Sequence, residues 1–145
     1  MIIIRKATSE DVTQIVHLMG QLGYELSNES VKKNIDSYIT FPNRELLVAQ
    51  MDERVVGCIA LDILQTFHKE ENQMRIISLV VDGVCRGKGI GKFLLNAAEE
   101  LAVKQGCWMV ELTSSERREK DGTHDFYGKE GYRKNGDQAY FRKIL

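Results

Sequence analysis

"VCRGKGIGKFLL", residues 84–95, places glycine at 87, 89 and 91, sets Arg86, Lys88 and Lys92 among them, and then turns apolar. Downstream, Ile90, Phe93, Leu94, Ala97, Ala98 and Leu101 recur on one face of a helix that Gly106 stops. Upstream, "MRIISLVV" (74–81) reads as a strand. A strand, a basic glycine loop and a helix thus follow one another. Glycine lets backbone N–H groups approach an anion closely, and the free amides and dipole of a helix N-terminus favour negative charge. Arg86 and Lys88 would add charge-assisted contacts. The bland reading is a turn that uses glycine only for tightness; three glycines in five positions with three cations favour a pyrophosphate-type ligand.

Two familiar phosphate cradles do not fit. A dinucleotide fingerprint needs a third glycine where Lys92 stands, and no acidic residue is placed about twenty positions on for a ribose. A Walker loop needs glycine where Arg86 stands and Ser or Thr where Phe93 stands.

The rest of the chain frames this unit. "IIIRKA" (2–7) is a short strand; Thr8 with Asp11 forms a capping-box pattern ahead of Val12, Ile15, Val16, Met19 and Leu22 at helical spacing. Ser27 or Asn28 caps a second helix carrying Val31, Ile35 and Tyr38, closed off by Pro42. "ELLVAQ" and "RVVGCIALDIL" flank "MDE" as a hairpin. "CWMVELT" (107–113) returns as a strand with Trp108, Val110 and Leu112 on one side, and "THDFYGKEG" (123–131) is a short helix. Asn135-Gly136 lies between two strand-like runs, a strong hairpin signal. The expected order is β-α-α-β-β-β-α-β-α-β-β, a mixed central sheet flanked by helices in a single α/β domain over residues 1–145.

The totals set limits. The length, 145 residues, suits one domain, and 43% hydrophobic with 28% charged residues suits a globular one. A formal charge of −1 recruits neither nucleic acid nor an anionic membrane, so an anion must be held locally. No apolar run approaches membrane-spanning length, and a cytoplasmic location is expected. Cys58, Cys85 and Cys107 are scattered and odd in number, which fits reduced thiols and offers no metal-ligand spacing; His17, His68 and His124 offer none either. No metal is expected.

"SLVVDGVCRGKGIGKFLLNAAEELA" resembles the acetyl-CoA motif of the GNAT N-acetyltransferases, R/Q-x-x-G-x-G/A, with Arg86, Gly89 and Gly91 at its fixed positions. "HDFYGKEGY" is similar to the family's F-Y-x-x-x-G-[FY] segment, matched by Phe126, Tyr127, Gly131 and Tyr132. Two motifs in order, with a helix and a strand between them, are far more specific than either alone. The likeness covers nearly the whole chain. Within the family, "ELTSSERR", "THDFYGKEGY" and "AYFRKIL" are similar to small members such as the aminoalkylphosphonate N-acetyltransferases.

The resemblance implies acetyl-CoA as cosubstrate and transfer of its acetyl group to a primary amine of a small molecule or peptide. A silent acetyl-CoA-binding regulatory module is the alternative. It implies main-chain contacts from Leu79, Val80 and Val81 to the pantetheine arm, and a pyrophosphate wrapped by Arg86, Gly87, Lys88, Gly89, Ile90 and Gly91, with Lys92 one step into the helix. It implies Tyr127 as the acid that meets the departing thiolate. Relatives place a glutamate base on the strand that here reads "MRIISLVV", which has none; Asp62, His68, Glu70, Glu71 and Glu111 are candidates. His124 stands one helical turn before Tyr127, and Cys85 directly precedes the loop. "SERREKDGT" (115–123) carries about two residues more than the common family spacing. Relatives often dimerise, so a homodimer is a further expectation.

Overall fold

The computed structural model describes residues 1–114 and 122–145, which form two compact units, Met1–Leu112 and Thr113–Leu145. The expected lengthened stretch of 115–123 lies mostly outside the described residues.

The first unit is built on a five-stranded sheet in the order β1 (Ile2–Lys6), β2 (Arg44–Met51), β3 (Arg54–Gln65), β4 (Asn72–Val81) and β5 (Cys107–Glu111). β1 to β4 are antiparallel neighbours, and β5 joins β4 in parallel. Parallel neighbours need a crossover, and α3 (Ile90–Lys104) supplies it. The β2–β3 hairpin turns at Asp52, the one described non-glycine residue with positive φ (57°), a conformation a short polar side chain tolerates.

Helices cover both faces. α1 (Val12–Leu22) and α2 (Asn28–Thr40) place Ile15, Leu18, Val31 and Ile35 against Val48, Val55, Cys58 and Val80 of the sheet. Neighbouring strand residues point to opposite faces, so Gly57 faces away from that layer. A Cβ added to Gly57 would lie 3.1 Å from Leu94 Cδ1 and 3.2 Å from Ile90 Cγ2, which puts α3 hard against the second face. The missing side chain is what lets the helix settle there.

The helix ends follow their local chemistry. Ser27 accepts from the Ser30 N–H (3.1 Å) and caps α2. That helix ends at Thr40, with Phe41 extended ahead of Pro42. Gly23, at φ 110°, closes α1 by donating to the carbonyls of Met19 and Gly20.

The Thr8/Asp11 box forms around a short 3-10 turn, Ser9–Asp11, that leads into α1. Asp11 is buried and accepts from both guanidinium nitrogens of Arg5 (2.9 and 2.8 Å) and from the Thr8 N–H (2.8 Å). Arg5 foremost, with the Thr8 amide, holds the Asp11 carboxyl below the ordinary aspartate range despite the opposing cost of burial. A depressed native pKa stabilises the fold fully above the unfolded-chain value, roughly 3.9, and that contribution fades as pH falls through the native value. Urea titrations between pH 7 and pH 2 should therefore show stability dropping at the acid end. Asp11→Asn should be less stable at pH 7 and show a shallower acid-end slope; an unchanged slope would remove Asp11 from the linkage.

In the second unit, α4 (Thr123–Lys129) starts at Gly122 (φ 77°) and is followed by Gly131 (φ 93°), two left-handed positions that suit glycine. The order agrees with expectation through α4. The last two expected strands do not form: residues 133–145 carry no strand. Asn135 accepts the Asp137 N–H through its side chain (3.0 Å), an Asx-type turn rather than a hairpin. Tyr140, Phe141, Ile144 and Leu145 are exposed, and a two-stranded ribbon with no apolar face to bury is marginal.

Candidate active site

β4 carries the first feature of the site. Its register with β5 ends at Arg75 opposite Glu111, whereas its register with β3 runs on to Val81 opposite Gly57. Among the described residues, β4 from Ile76 to Val81 therefore has a strand on one side only. Ala60 faces Ser78 and Leu61 faces Ile76, which leaves Ile77 as an extra residue on β4. Such a bulge twists and bends a strand, and here it falls where β4 and β5 part. The result is a sheet edge inside the fold whose main-chain groups are open to an extended ligand.

Leu79, Val80 and Val81 line that edge. Val80 lies in the core beneath α1 and α2, opposite Cys58, so only its main chain is available to a ligand. Leu79 and Val81 are half-buried.

The glycine loop follows directly. Arg86 is extended (φ −65°, ψ 154°), and Gly87 and Gly89 are left-handed at φ 83° and 78°. Gly89 caps α3 with no side-chain hydrogen bond, and its carbonyl accepts the Phe93 N–H (3.0 Å). The first helical amides, at Ile90, Gly91 and Lys92, precede that bond, and such amides have no partner inside a helix. Ile90 is buried, so its part in any anion site is confined to its N–H. Arg86, Lys88 and Lys92 are exposed cations around those amides. A positive dipole end, bare amides and three cations fit a pyrophosphate.

Cys85, directly before this loop, is buried and packs as a small side chain.

The candidate bases separate. Arg44, Asp62, Arg75 and Glu111 are successive register partners across β2, β3, β4 and β5, a row of alternating charge. Glu111 is bonded to Arg75 at 2.8 Å. Asp62 stands 3.8 Å from Arg44 Nε, and its Oδ1 is buried with no hydrogen bond. Burial, and then the Asp62 charge, push the Tyr38 hydroxyl up to about 12. His68, Glu70 and Glu71 lie exposed between β3 and β4.

Tyr127 lies on α4, half-buried, with its ring edge-on to Phe126 (centroids 5.2 Å apart) and to Tyr132 (5.9 Å). The Tyr132 N–H donates to the Tyr127 carbonyl at 3.0 Å, folding the F-Y-x-x-x-G-Y segment back on itself. His124, expected as a neighbour of Tyr127, pairs with the Ser114 hydroxyl at 3.2 Å.

Trp108, on β5, is 51% exposed, with the Lys69 ammonium 4.7 Å from its ring centroid, and β5 ends at Glu111, two residues short of the expected strand end.

One group escaped sequence reasoning altogether. Asp82, between β4 and the loop, is buried and meets Gln21, Arg54 and His17, residues 28 to 65 positions away in the chain. No local pattern signals such a meeting.

Comparison with known proteins agrees with this architecture. A family model described as "Acetyltransferase (GNAT) family" matches residues 12–132. An aminoalkylphosphonate N-acetyltransferase of Salmonella typhimurium is 32% identical over 140 residues, covering 96% of this chain and 87% of that protein. A glucosamine 6-phosphate N-acetyltransferase of Trypanosoma brucei brucei is 29% identical over 138 residues, covering 90% and 88%. A crystal structure of a GNAT family acetyltransferase from Staphylococcus aureus superposes with a TM-score of 0.82 at 26% identity, covering 99% of this chain and 98% of that one. A split β4 edge, a glycine loop at a helix N-terminus and a family match across most of the chain lead to one conclusion: this protein belongs to the GNAT family and is an acetyltransferase.

Proposed function

We propose that this acetyltransferase moves the acetyl group of acetyl-CoA directly to the primary amine of a small molecule, without a covalent acyl-enzyme. The open edge of β4 from Ile76 to Val81, running into the glycine loop, carries the reading. Leu79, Val80 and Val81 would pair with the pantetheine arm through their main chain, as a further strand would. Arg86, Gly87, Lys88, Gly89, Ile90, Gly91 and Lys92 would hold the pyrophosphate. The amine nitrogen attacks the thioester carbonyl carbon, the C–S bond breaks, and Tyr127 donates its phenolic proton to the departing sulfur. One ammonium proton leaves before attack, through a carboxylate or water, and the nitrogen gives up a second as the C–S bond breaks, which returns through water to restore the Tyr127 hydroxyl. The family match runs across both compact units, which supports treating residues 1–145 as one domain. Cys58, Cys85 and Cys107 are free thiols, which supports a cytoplasmic location.

For the acceptor we propose an amine that also bears a phosphonate or phosphate. Aminoalkylphosphonates and glucosamine 6-phosphate, for which two relatives are named, share that pair of groups. Free-thiol release from acetyl-CoA should rise above the no-amine background with 2-aminoethylphosphonate and glucosamine 6-phosphate. Spermidine, an aminoglycoside and a short peptide should give less. A response confined to those last three would overturn the acceptor class; no response to any of the amines, with acetyl-CoA bound, would overturn small-amine transfer.

A further inference from the structure

We propose that Gln21 and Asp82 are positioning residues that fix where the pyrophosphate-binding amides begin, by accepting with their side chains the Gly83 and Val84 N–H groups of the turn between β4 and the glycine loop. This rests on the reading of residues 86–92 as the pyrophosphate cradle.

Four consecutive amides are occupied within the fold. The Asp82 N–H donates to the Val56 carbonyl (2.8 Å) and the Cys85 N–H to the Asp82 carbonyl (2.9 Å). Between them, the Gly83 N–H donates to Gln21 Oε1 (2.7 Å) and the Val84 N–H to Asp82 Oδ1 (3.2 Å). Gln21 completes a ring, because its Nε2 donates to the same Asp82 oxygen at 3.1 Å. The short 3-10 turn Gly83–Cys85 is thereby tied to the last turn of α1. The amides left for an anion start at Arg86.

The turn needs that tie. Gly83 and Val84 are exposed, and neither side chain anchors them in the core. Gly83 is also matched to its partner: a Cβ there would lie 3.3 Å from Gln21 Oε1. Released, the Gly83 and Val84 amides would become two further donors on a loose segment, and the 86–92 amides would lose their fixed direction. Preorganised donors bind an anion more tightly because the ordering cost is met in folding rather than in binding.

The charges are consistent with this role. A carboxylate at the root of an anion site would repel the anion if left bare. Arg54 (3.5 Å) supplies a cation beside the second Asp82 oxygen, and His17 (3.8 Å) stands next to it with Nε2 accepting from the Gln21 amide at 2.8 Å. The carboxyl is held below its ordinary range, by the Gln21 bond first and then by the Val84 amide and the Arg54 cation, against the cost of burial. It therefore stays an acceptor for Val84 at neutral pH.

The test compares two ligands by calorimetric and NMR titration: coenzyme A, and pantetheine, which lacks the pyrophosphate. Gln21→Ala changes an exposed side chain, so the variant should fold even if Asp82→Ala does not. Each variant should raise the coenzyme A Kd about tenfold and leave the pantetheine Kd within about twofold. The double variant should lose little more than the weaker single, since both act on one turn. Asp82→Asn keeps an acceptor for Val84 and should retain most of the affinity. Unchanged coenzyme A affinity in Gln21→Ala, or equal losses for both ligands, would overturn the proposal. Failure of the cradle reading looks different: wild-type protein would bind coenzyme A no more tightly than pantetheine.

Discussion

Tyr127→Phe should lower kcat about 100-fold, some 2.7 kcal/mol of transition-state stabilisation, while KM for acetyl-CoA moves by no more than about twofold. The expected split follows from when the hydroxyl is needed. Bound acetyl-CoA carries a neutral thioester; only as the C–S bond breaks does sulfur gather negative charge and call for a proton. The free thiol would resemble cysteine, with a pKa of roughly 8.5, so an expelled thiolate is a usable leaving group but a better one when protonated. Phenylalanine keeps the ring that packs edge-on to Phe126 and Tyr132, so α4 should stay in place. Steady-state kinetics with the best amine of the panel, together with a thermal melt, decide the matter. Equal kcat would remove Tyr127 from the chemistry, whereas a fall in kcat with a matching fall in melting temperature would mark a structural residue.

The two motifs were legible in the sequence because each packs its information into a few consecutive residues. Gly87 and Gly89 are left-handed, as a glycine-rich loop suggests, and Gly131 likewise follows α4 at positive φ. Strong periodicity also made β1 to β5 and α1 to α4 readable to within a residue or two, since apolar faces repeat wherever an element lies on a core. What stayed hidden depends on distant partners. The bulge at Ile77 is a matter of register between β3 and β4, and a register cannot be read from one strand. The alternating row Arg44, Asp62, Arg75 and Glu111 exists only once four strands are side by side. Nothing in the sequence around Asp82 points to Gln21, which only the packing of α1 brings to it. The terminal segment fails in the opposite direction. Asn135-Gly136 is a sound local turn signal, and local turn chemistry is satisfied there, but a ladder needs more than its turn.

Gly89→Val should raise the coenzyme A Kd about 30-fold, or some 2 kcal/mol. Two costs combine at this position. Gly89 sits at φ 78°, where a β-branched residue is strained, and the N-cap of α3 would relax toward a conformation that swings its carbonyl off the Phe93 N–H. The added side chain would also stand beside the Ile90, Gly91 and Lys92 amides, in the space the anion needs. Crowding within the protein contributes little, since the nearest atom to an added Cβ is Phe93 Cε2 at 3.8 Å. Gly89→Ala separates the two costs, because alanine brings most of the backbone strain with far less bulk; it should weaken binding by about tenfold. Titration of both variants with coenzyme A and with pantetheine reads the contrast directly. Losses confined to coenzyme A place the pyrophosphate on the α3 amides. Unchanged coenzyme A affinity in Gly89→Val would remove the anion from this loop, and with it the reason for three glycines among three cations.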